Sequence, residues 1–292
     1  MEALFTLVRE LARRATVTDV AASKWLVERH GLAPLAARAG AHVFRDGLAR
    51  SALEWARMER DVEPLLATLA AERIQVLPLK GLSYARTLYE HVADRPMNDV
   101  DLMVRPDDET RAQRVLAALG FRLDAKPLLH HATTWIRDRQ VVDLHTNIIG
   151  PGRARVDLDA VWTRATQHLD ANDALVFHLV HLARNRLRTP LVHVIDAARL
   201  MARADLDIAL ARARAWGVAS GVTLAHGFCS EILAGHSTKP AGWLGPSGED
   251  VALLREPPLV RKLIFDLATA GSPRQLTARV ASYANRFARS SR

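Results

Sequence analysis

The first 72 residues carry apolar side chains at the spacing of amphipathic helices. One stripe begins at Leu4 and recurs at Leu7, Val8 and Leu11, in the three- and four-residue steps that place side chains on one helix face. A longer stripe follows, made of Leu48, Leu53, Trp55, Met58, Leu65, Leu66 and Leu69. Pro34 and Pro64 are expected to break helices or to begin them. No catalytic pattern accompanies these stripes, so we predict a helical lobe that packs on the rest of the chain or shapes its substrate site.

Residues 73–150 change to short apolar runs bounded by turn-forming residues, which is the pattern of strands. The predicted order is strand, helix, strand, helix and three strands, over residues 74–79, 81–90, 99–104, 109–119, 121–125, 132–137 and 140–148. The last two strands are expected to form a hairpin around Asp138 and Arg139. This order predicts a small mixed β-sheet covered by helices, and so a fold of the α+β class.

Residues 151–292 follow a Gly-Pro-Gly turn at 150–152 and return to helical spacing. Amphipathic stretches cover residues 173–185, 191–203, 206–216 and 222–233. A Gly- and Pro-rich loop is predicted at 242–248, and the chain ends on a basic amphipathic segment at 279–292. We therefore predict three regions: N-terminal helices (1–72), an α+β core (73–150) and a C-terminal helical domain (151–292).

The composition adds a basic charge to this picture, since Lys and Arg number 40 against 32 Asp and Glu, for a net charge of +8. A basic surface attracts nucleic acid and nucleotides, but an arginine-rich genome would give the same excess, so charge alone names no partner. The one cysteine, Cys229, excludes internal disulfides and is expected to be a buried thiol. The sequence has no signal-peptide pattern and no apolar run of membrane-spanning length. We expect a cytoplasmic protein with no membrane partner.

The pattern with the clearest chemistry lies at Asp99 and Asp101, two residues apart on a predicted strand. Alternate residues of a strand share a face, so both carboxylates point the same way while Val100 and Leu102 face the core. Two adjacent like charges are unfavourable unless a cation neutralises them, and carboxylates are ligands that Mg²⁺ prefers. Asp143, in another apolar strand-like run, is the best candidate for a third ligand.

These residues resemble the nucleotidyltransferase (polymerase β-like) superfamily, which has a Gly-containing turn at a helix start, an Asp-x-Asp strand and a distant third Asp. More narrowly, the LKG…Y…R…D-[IV]-D pattern of Leu79-Lys80-Gly81, Tyr89, Arg95 and Asp99-Val100-Asp101 resembles a group of bacterial uncharacterised nucleotidyltransferases. The resemblance covers residues 73–150 well, and His178, His181 and Asp196 fit it more loosely. The chain departs from the superfamily in its turn, where Gly81 is followed by Leu82 and Ser83 instead of Gly-Gly or Gly-Ser.

The resemblance implies a Mg²⁺-dependent transfer of a nucleoside monophosphate from an NTP to an acceptor hydroxyl or phosphate, with release of pyrophosphate. Asp99, Asp101 and Asp143 would be catalytic and would bind two Mg²⁺ ions. The residues expected to hold the triphosphate are Lys80, Gly81, Ser83 and Arg95. For Arg95, an ion pair with an acid is the alternative role.

Two other functions remain open at this point. The chain would be either a catalytically inactive binding protein with a nucleotidyltransferase fold, or a metal-dependent phosphohydrolase built on the same carboxylates. The acceptor is unknown; a small molecule, a peptide or an RNA would each be compatible, and the basic charge admits nucleic acid. The histidines lack a zinc-site spacing and are predicted to be structural, although His145, one pleat beyond Asp143, also fits the lining of a pocket. Asp196 and Arg199 are expected to form an ion pair.

Overall fold

The computed structural model describes residues 2–125, 132–149, 154–235, 246, 248–255 and 259–270. Its N-terminal part is helical, with α1 (Glu2–Ala12), α2 (Lys24–Arg29), α3 (Ala33–Arg38) and α4 (Arg45–Ala71). Pro34 lies in the first turn of α3, as predicted for a helix start. The prediction for Pro64 was wrong, because α4 continues through it with the ring exposed and Val62, Leu65 and Leu69 buried. Burial of those side chains offsets the backbone hydrogen bond that a proline removes from a helix interior.

Five strands form one mixed sheet, as predicted: β1 (Val76–Pro78), β2 (Val100–Val104), β3 (Arg122–Ala125), β4 (Ala132–Arg137) and β5 (Gln140–His145). Their order across the sheet is β1-β2-β5-β4-β3. Strands β2 and β5 run parallel, and the other neighbouring pairs run antiparallel. Helix α5 (Lys80–Leu88) connects β1 to β2, and α6 (Glu109–Ala118) connects β2 to β3. The predicted hairpin joins β4 to β5 through Asp138 and Arg139.

The two faces of β2 contact different parts of the chain. Val100, Leu102 and Val104 are buried in a hydrophobic cluster with side chains of α4 and α6, as predicted for the core face. Asp101 and Met103 lie on the opposite face, and Met103 belongs to a second cluster formed with N- and C-terminal helices. The carboxylate of Asp101 is therefore on the face of the sheet that the C-terminal helices approach.

The C-terminal part contains helices α7 (Leu158–Arg164), α8 (Ala171–Arg184), α9 (Val192–Met201), α10 (Leu206–Ala215), α11 (Ala219–Ala234), α12 (Gly248–Leu253) and α13 (Leu259–Ala268). Asp157, Asp170 and Asp205 cap α7, α8 and α10 with side-chain oxygens that accept hydrogen bonds from the first-turn amides. Cys229 in α11 is fully buried, and burial raises the pKa of its thiol. The predicted turn at 150–152, residues 242–245 and 247 of the predicted loop and the basic segment at 279–292 lie outside the described residues.

Buried side chains cross the boundaries between the three predicted regions. The second cluster joins α1 and α3 to α8, α9 and α11, while α4 packs on the sheet. The division into 1–72, 73–150 and 151–292 stays a prediction about sequence organisation, since the hydrophobic cores are shared. None of the helices in the described ranges combines the length and the apolar character that crossing a bilayer requires.

Candidate active site

Two carboxylates meet across the parallel strands β2 and β5. The register places Asp101 directly beside Asp143, and Met103 beside His145. One ligand atom from each of Asp101, Asp143 and His145 lies within 4.8 Å of the others. Asp101 and His145 are buried, whereas Asp143 is partly exposed and accepts a 2.6 Å hydrogen bond from Thr134 Oγ1. Two carboxylates and an imidazole form a donor set that suits a divalent cation.

Asp101 is the most strongly held of these acids. Its Oδ1 atom lies 2.8 Å from Lys80 Nζ and 2.8 Å from His145 Nε2. Burial would raise the pKa of Asp101, but the Lys80 charge and the hydrogen bonds from His145 and Lys80 outweigh burial and hold that pKa well below its ordinary value. Asp101 is therefore an anion at neutral pH, with Lys80 as its main counter-ion.

Asp99 lies at the edge of the same group. It precedes β2 by one residue and is exposed to solvent, and it is not a member of the close set formed by Asp101, Asp143 and His145. The surrounding protein raises the pKa of Asp99 by desolvation, and the negative charges of Asp101 and Asp143 raise it further. A bound divalent cation would relieve this repulsion, so the predicted acids fit a Mg²⁺ site.

Lys80 and Gly81 open helix α5 beside the acids. Lys80 has a backbone φ of +38°, a conformation that side-chain-bearing residues adopt at a cost and that is concentrated at functional sites. Its ammonium also lies 5.6 Å from the centre of the Phe177 ring, which belongs to α8. A Cβ atom at Gly81 would lie 3.2 Å from Met97 Cβ, so the absence of a side chain lets the loop before β2 pack closely on the start of α5.

Ser83 lies apart from this group. It is buried, and its Oγ atom is 3.0 Å from His168 Nδ1 in the segment between α7 and α8. It does not line the cleft that contains Lys80, Gly81, Asp99 and Asp101. The contact of Ser83 with a triphosphate therefore stays a prediction. The hydrogen bond between Ser83 and His168 does not favour it.

Arg95 is buried in an ion pair with an acid of α9. Its Nε and Nη2 atoms donate to Asp196 Oδ2 at 3.0 and 2.8 Å, and Tyr89 Oη donates to Asp196 Oδ1 at 2.6 Å. Asp196 is fully buried, and its partner is Arg95 and not Arg199 as predicted. Arg199 instead lies 4.0 Å from the Tyr89 ring centre and donates to the Leu88 carbonyl. The observed pair is the alternative role considered for Arg95, although Arg95 also lines the cleft.

Three histidines that were predicted to be structural, His178, His181 and His193, lie close together, and the first and last of them adjoin Asp196. The His193 ring is 5.7 Å from His178 and 5.6 Å from His181, measured between ring centres. Burial lowers the pKa of all three, with Lys80 next in importance for His181 and Arg95 for His193. The imidazoles are therefore neutral at pH 7. His178 Nε2 donates to the His193 carbonyl at 2.8 Å, which fits a structural role, while His181 and His193 line the cleft.

Asp99 and Asp101 line a cleft of about 430 Å³, a size typical of small-molecule sites, whereas Asp143 and His145 are not among the residues that line it. All three predicted regions contribute to its walls. The core supplies Lys80, Gly81, Asp99 and Asp101, and the C-terminal helices supply His181 and His193. The N-terminal helices supply Glu28, Arg29, Gly47, Arg50, Ser51 and Glu54, among other residues. Sequence reasoning missed this last set, although Gly47, Arg50, Ser51 and Glu54 have the spacing of one helix face.

Comparison with known proteins gives one strong match. A family model described as an uncharacterised nucleotidyltransferase matches residues 7–234, which run from the middle of α1 to the end of α11. No curated protein matches the chain. The chain is also similar to the solution structure of the antibiotic-resistance factor ANT(2'')-Ia, with 12% identity and a TM-score of 0.41 over 61% of this chain and 95% of that chain. A likeness at this level carries no argument about the site.

Proposed function

This chain belongs to the uncharacterised nucleotidyltransferase family, and from that premise we propose that it moves a nucleoside monophosphate from an NTP to an acceptor hydroxyl or phosphate. The observation that carries the proposal is the pairing of Asp101 with Asp143 across β2 and β5, beside Lys80 and next to an open cleft. Buried or half-buried carboxylates at adjacent positions are costly without a cation. Lys80 already neutralises Asp101, so a bound cation would mainly offset the charges of Asp143 and Asp99.

Asp99, Asp101 and Asp143 would hold Mg²⁺, with two ions as the proposed number, and His145 lies within reach of the same place. When bound, the metal supplies charge neutralisation for the triphosphate and for the attacking oxygen. The bond from the acceptor oxygen to the α-phosphorus forms as the α–β phosphoanhydride bond breaks, and pyrophosphate leaves. The proton of an acceptor hydroxyl passes to the Asp143 carboxylate, which is partly exposed and held in place by Thr134.

Lys80 supports this chemistry as a fixed cation. Its ammonium neutralises Asp101, and Phe177 covers it on the side of α8. Gly81, in the first turn of α5, lines the cleft, and the amides at a helix start suit a phosphate oxygen. Catalysis would consist mainly of positioning and charge neutralisation, because phosphoryl transfer requires little covalent participation by the protein.

A second candidate function is a nucleotide-binding protein without turnover. The contact between Lys80 and Asp101 favours it, because the ammonium already occupies one oxygen of a proposed metal ligand. The proximity of Asp101 to Asp143 and the open cleft favour the enzyme, since an abandoned site has no requirement to keep either feature.

The test is label transfer from α-labelled NTPs in the presence of Mg²⁺, with RNA or small-molecule extract as acceptor. Asp101→Asn should lower the transfer rate by about a hundredfold or more, since a charge that stabilises the transition state is removed. The matched control is Asp107→Asn, which changes an exposed acid outside the cleft and should leave the rate unchanged.

Three results separate the candidate functions. Label on an acceptor, lost with Asp101→Asn or with a chelator, supports nucleotidyl transfer and identifies the acceptor pool. Labelled monophosphate without a labelled acceptor would indicate a phosphohydrolase. Binding of Mg-NTP with no product of either kind would leave the binding protein.

A further inference from the structure

We infer that Arg50, assisted by Arg29, binds the polyphosphate of the nucleotide from the N-terminal wall of the cleft. The inference rests on the proposed function, because it concerns the same cleft. It assigns a binding role to helices α2 and α4, which carry no catalytic motif. Some cations that line the cleft already have an acidic partner within the protein, and others do not.

The cations near the acids are largely neutralised within the protein. Lys80 is bonded to Asp101 at 2.8 Å, and Arg95 is buried against Asp196 at 2.8 Å. Ser83, the hydroxyl of the predicted phosphate set, is bonded to His168 outside the cleft. A nucleoside triphosphate brings up to about four negative charges, and the two proposed Mg²⁺ ions already share their charge with Asp99, Asp101 and Asp143. Phosphate binding therefore needs further cations on the cleft wall.

Arg50 meets that need. It lines the cleft, its side chain is exposed, and it makes no hydrogen bond or ion pair with any residue that the structure describes. Arg29 lines the same wall; it lies 5.1 Å from the Trp25 ring centre and donates one long hydrogen bond, 3.4 Å, to the Leu253 carbonyl. Both guanidinium groups keep donors for a ligand, and guanidinium binds phosphate oxygens in pairs.

The position of Arg50 is set by tight packing beneath it. It lies one turn after Gly47 on α4, and Gly47 faces α3 so closely that a Cβ atom there would lie 2.8 Å from Ala33 Cβ. The next residue, Ser51, donates a 2.7 Å hydrogen bond to the Ala93 carbonyl, and Trp55 Nε1, one turn further along, donates to the Arg95 carbonyl at 3.1 Å. These contacts attach the Arg50 face of α4 to the loop that leads into Asp99 and Asp101.

The chemistry of the wall points to a nucleotide and not to polyanions in general. Glu28 and Glu54 line the wall together with Arg29 and Arg50, so a long anionic polymer would meet repulsion there. A compact triphosphate would contact the two guanidinium groups at one end and the metal held by the acids at the other. Carboxylates beside it are acceptors that suit ribose hydroxyls.

The test compares nucleotides that share a base but differ in phosphate number. Binding of a non-hydrolysable NTP and of the corresponding NMP is measured by calorimetry, with Mg²⁺ and the full chain. Arg50→Ala should weaken NTP binding by about tenfold and change NMP binding by less than about twofold. The reason is that Arg50 would form its charge-assisted hydrogen bond with the outer phosphates, which an NMP lacks. The matched control is Arg57→Ala, an exposed arginine two turns further along α4 that does not line the cleft.

Equal NTP affinities for Arg50→Ala and Arg57→Ala would overturn the inference, as would equal losses for NTP and NMP. If Arg50→Ala leaves NTP binding intact and raises only the KM for the acceptor, Arg50 contacts the acceptor and the inference is also wrong. Failure of the proposed function is distinct: the unmodified chain would then neither bind Mg-NTP nor transfer label. Label transfer by the unmodified chain with unchanged NTP affinity for Arg50→Ala would refute the inference alone.

Discussion

The buried pair of Arg95 and Asp196 allows a sharp test of how the core and the C-terminal helices are joined. Arg95 is 4% exposed and Asp196 is 0% exposed. The substitution Asp196→Asn keeps the shape of the side chain and removes its charge, so the guanidinium of Arg95 is left buried without a counter-ion. Loss of one partner from a buried ion pair costs about 3–5 kcal/mol, a large fraction of the roughly 5–15 kcal/mol that stabilises a folded protein. The hydroxyl of Tyr89 also loses a charged acceptor at 2.6 Å.

Urea unfolding followed by circular dichroism measures this cost. With a denaturant slope of about 3 kcal/mol per molar, the unfolding midpoint should fall by about 1 M or more. The control is Arg60→Ala, which removes an exposed pair with Asp61 and should change stability by less than about 0.5 kcal/mol. The double substitution Arg95→Gln with Asp196→Asn should cost less than the sum of the single changes, because only the double variant leaves no lone buried charge.

A midpoint for Asp196→Asn equal to that of Arg60→Ala would refute this reasoning. It would mean that water or another group reaches Arg95, and that the pair of Arg95 and Asp196 is not the main contact joining the core to the C-terminal helices. In that case Arg95 would be available for a triphosphate, as the sequence suggested. NTP affinity measured on the folded Arg95→Gln variant would then fall, whereas a purely structural arginine leaves the affinity of the folded fraction unchanged.

Two further predictions concern packing and pH. Gly47→Ala should lower the free energy of unfolding, measured in urea, by about 1–3 kcal/mol, because the new methyl would meet Ala33 Cβ at 2.8 Å. Adding Ala33→Gly should restore most of the lost stability. An unchanged stability for Gly47→Ala would contradict the close approach of α3 and α4. The free energy of unfolding should also fall as the pH drops from 7 towards about 5.5, because histidines that stay neutral when buried in the fold become protonated in the unfolded chain. Each such histidine contributes up to about 1.4 kcal/mol per pH unit. The histidines whose pKa burial lowers are His30, His168, His178, His181 and His193. Constant stability over this range would show that they are protonated in the fold.

The sequence was most informative where function depends on local periodicity. Alternation along one strand predicted that Val100 and Leu102 are buried while Asp101 faces the other way, and the structure has this arrangement. The mixed sheet followed from the order of strands and helices, because that order restricts how strands pair. Asp143 was selected because an unpaired charge in an apolar strand is costly, and its register beside Asp101 agrees with that choice.

Partners separated by long stretches of chain were not predictable in the same way. His145 contacts Asp101 across 44 positions, and Arg95 meets Asp196 across 101. Strand register and helix docking decide such contacts, and both depend on the packing of the whole fold. The sequence limited the partner of Arg95 to an acid but could not select it. Likewise, the spacing of Arg50 and Glu54 indicates a shared helix face without showing that this face borders the acids.

The two hydrophobic clusters explain why a site centred on the sheet also requires both helical parts. The face of β2 that carries Val100 and Leu102 is covered by α4 and α6, but the Asp101 face is not covered from within residues 73–150 alone. Met103, the next residue on that face, is buried in a cluster that includes helices on either side of the core in the chain. Lys80 likewise has Phe177 of α8 beside it. The C-terminal helices therefore contribute to the low dielectric that strengthens the contact between Lys80 and Asp101, while residues of α4 line the cleft. The family match over residues 7–234 agrees with this dependence, because it includes the elements that build each wall.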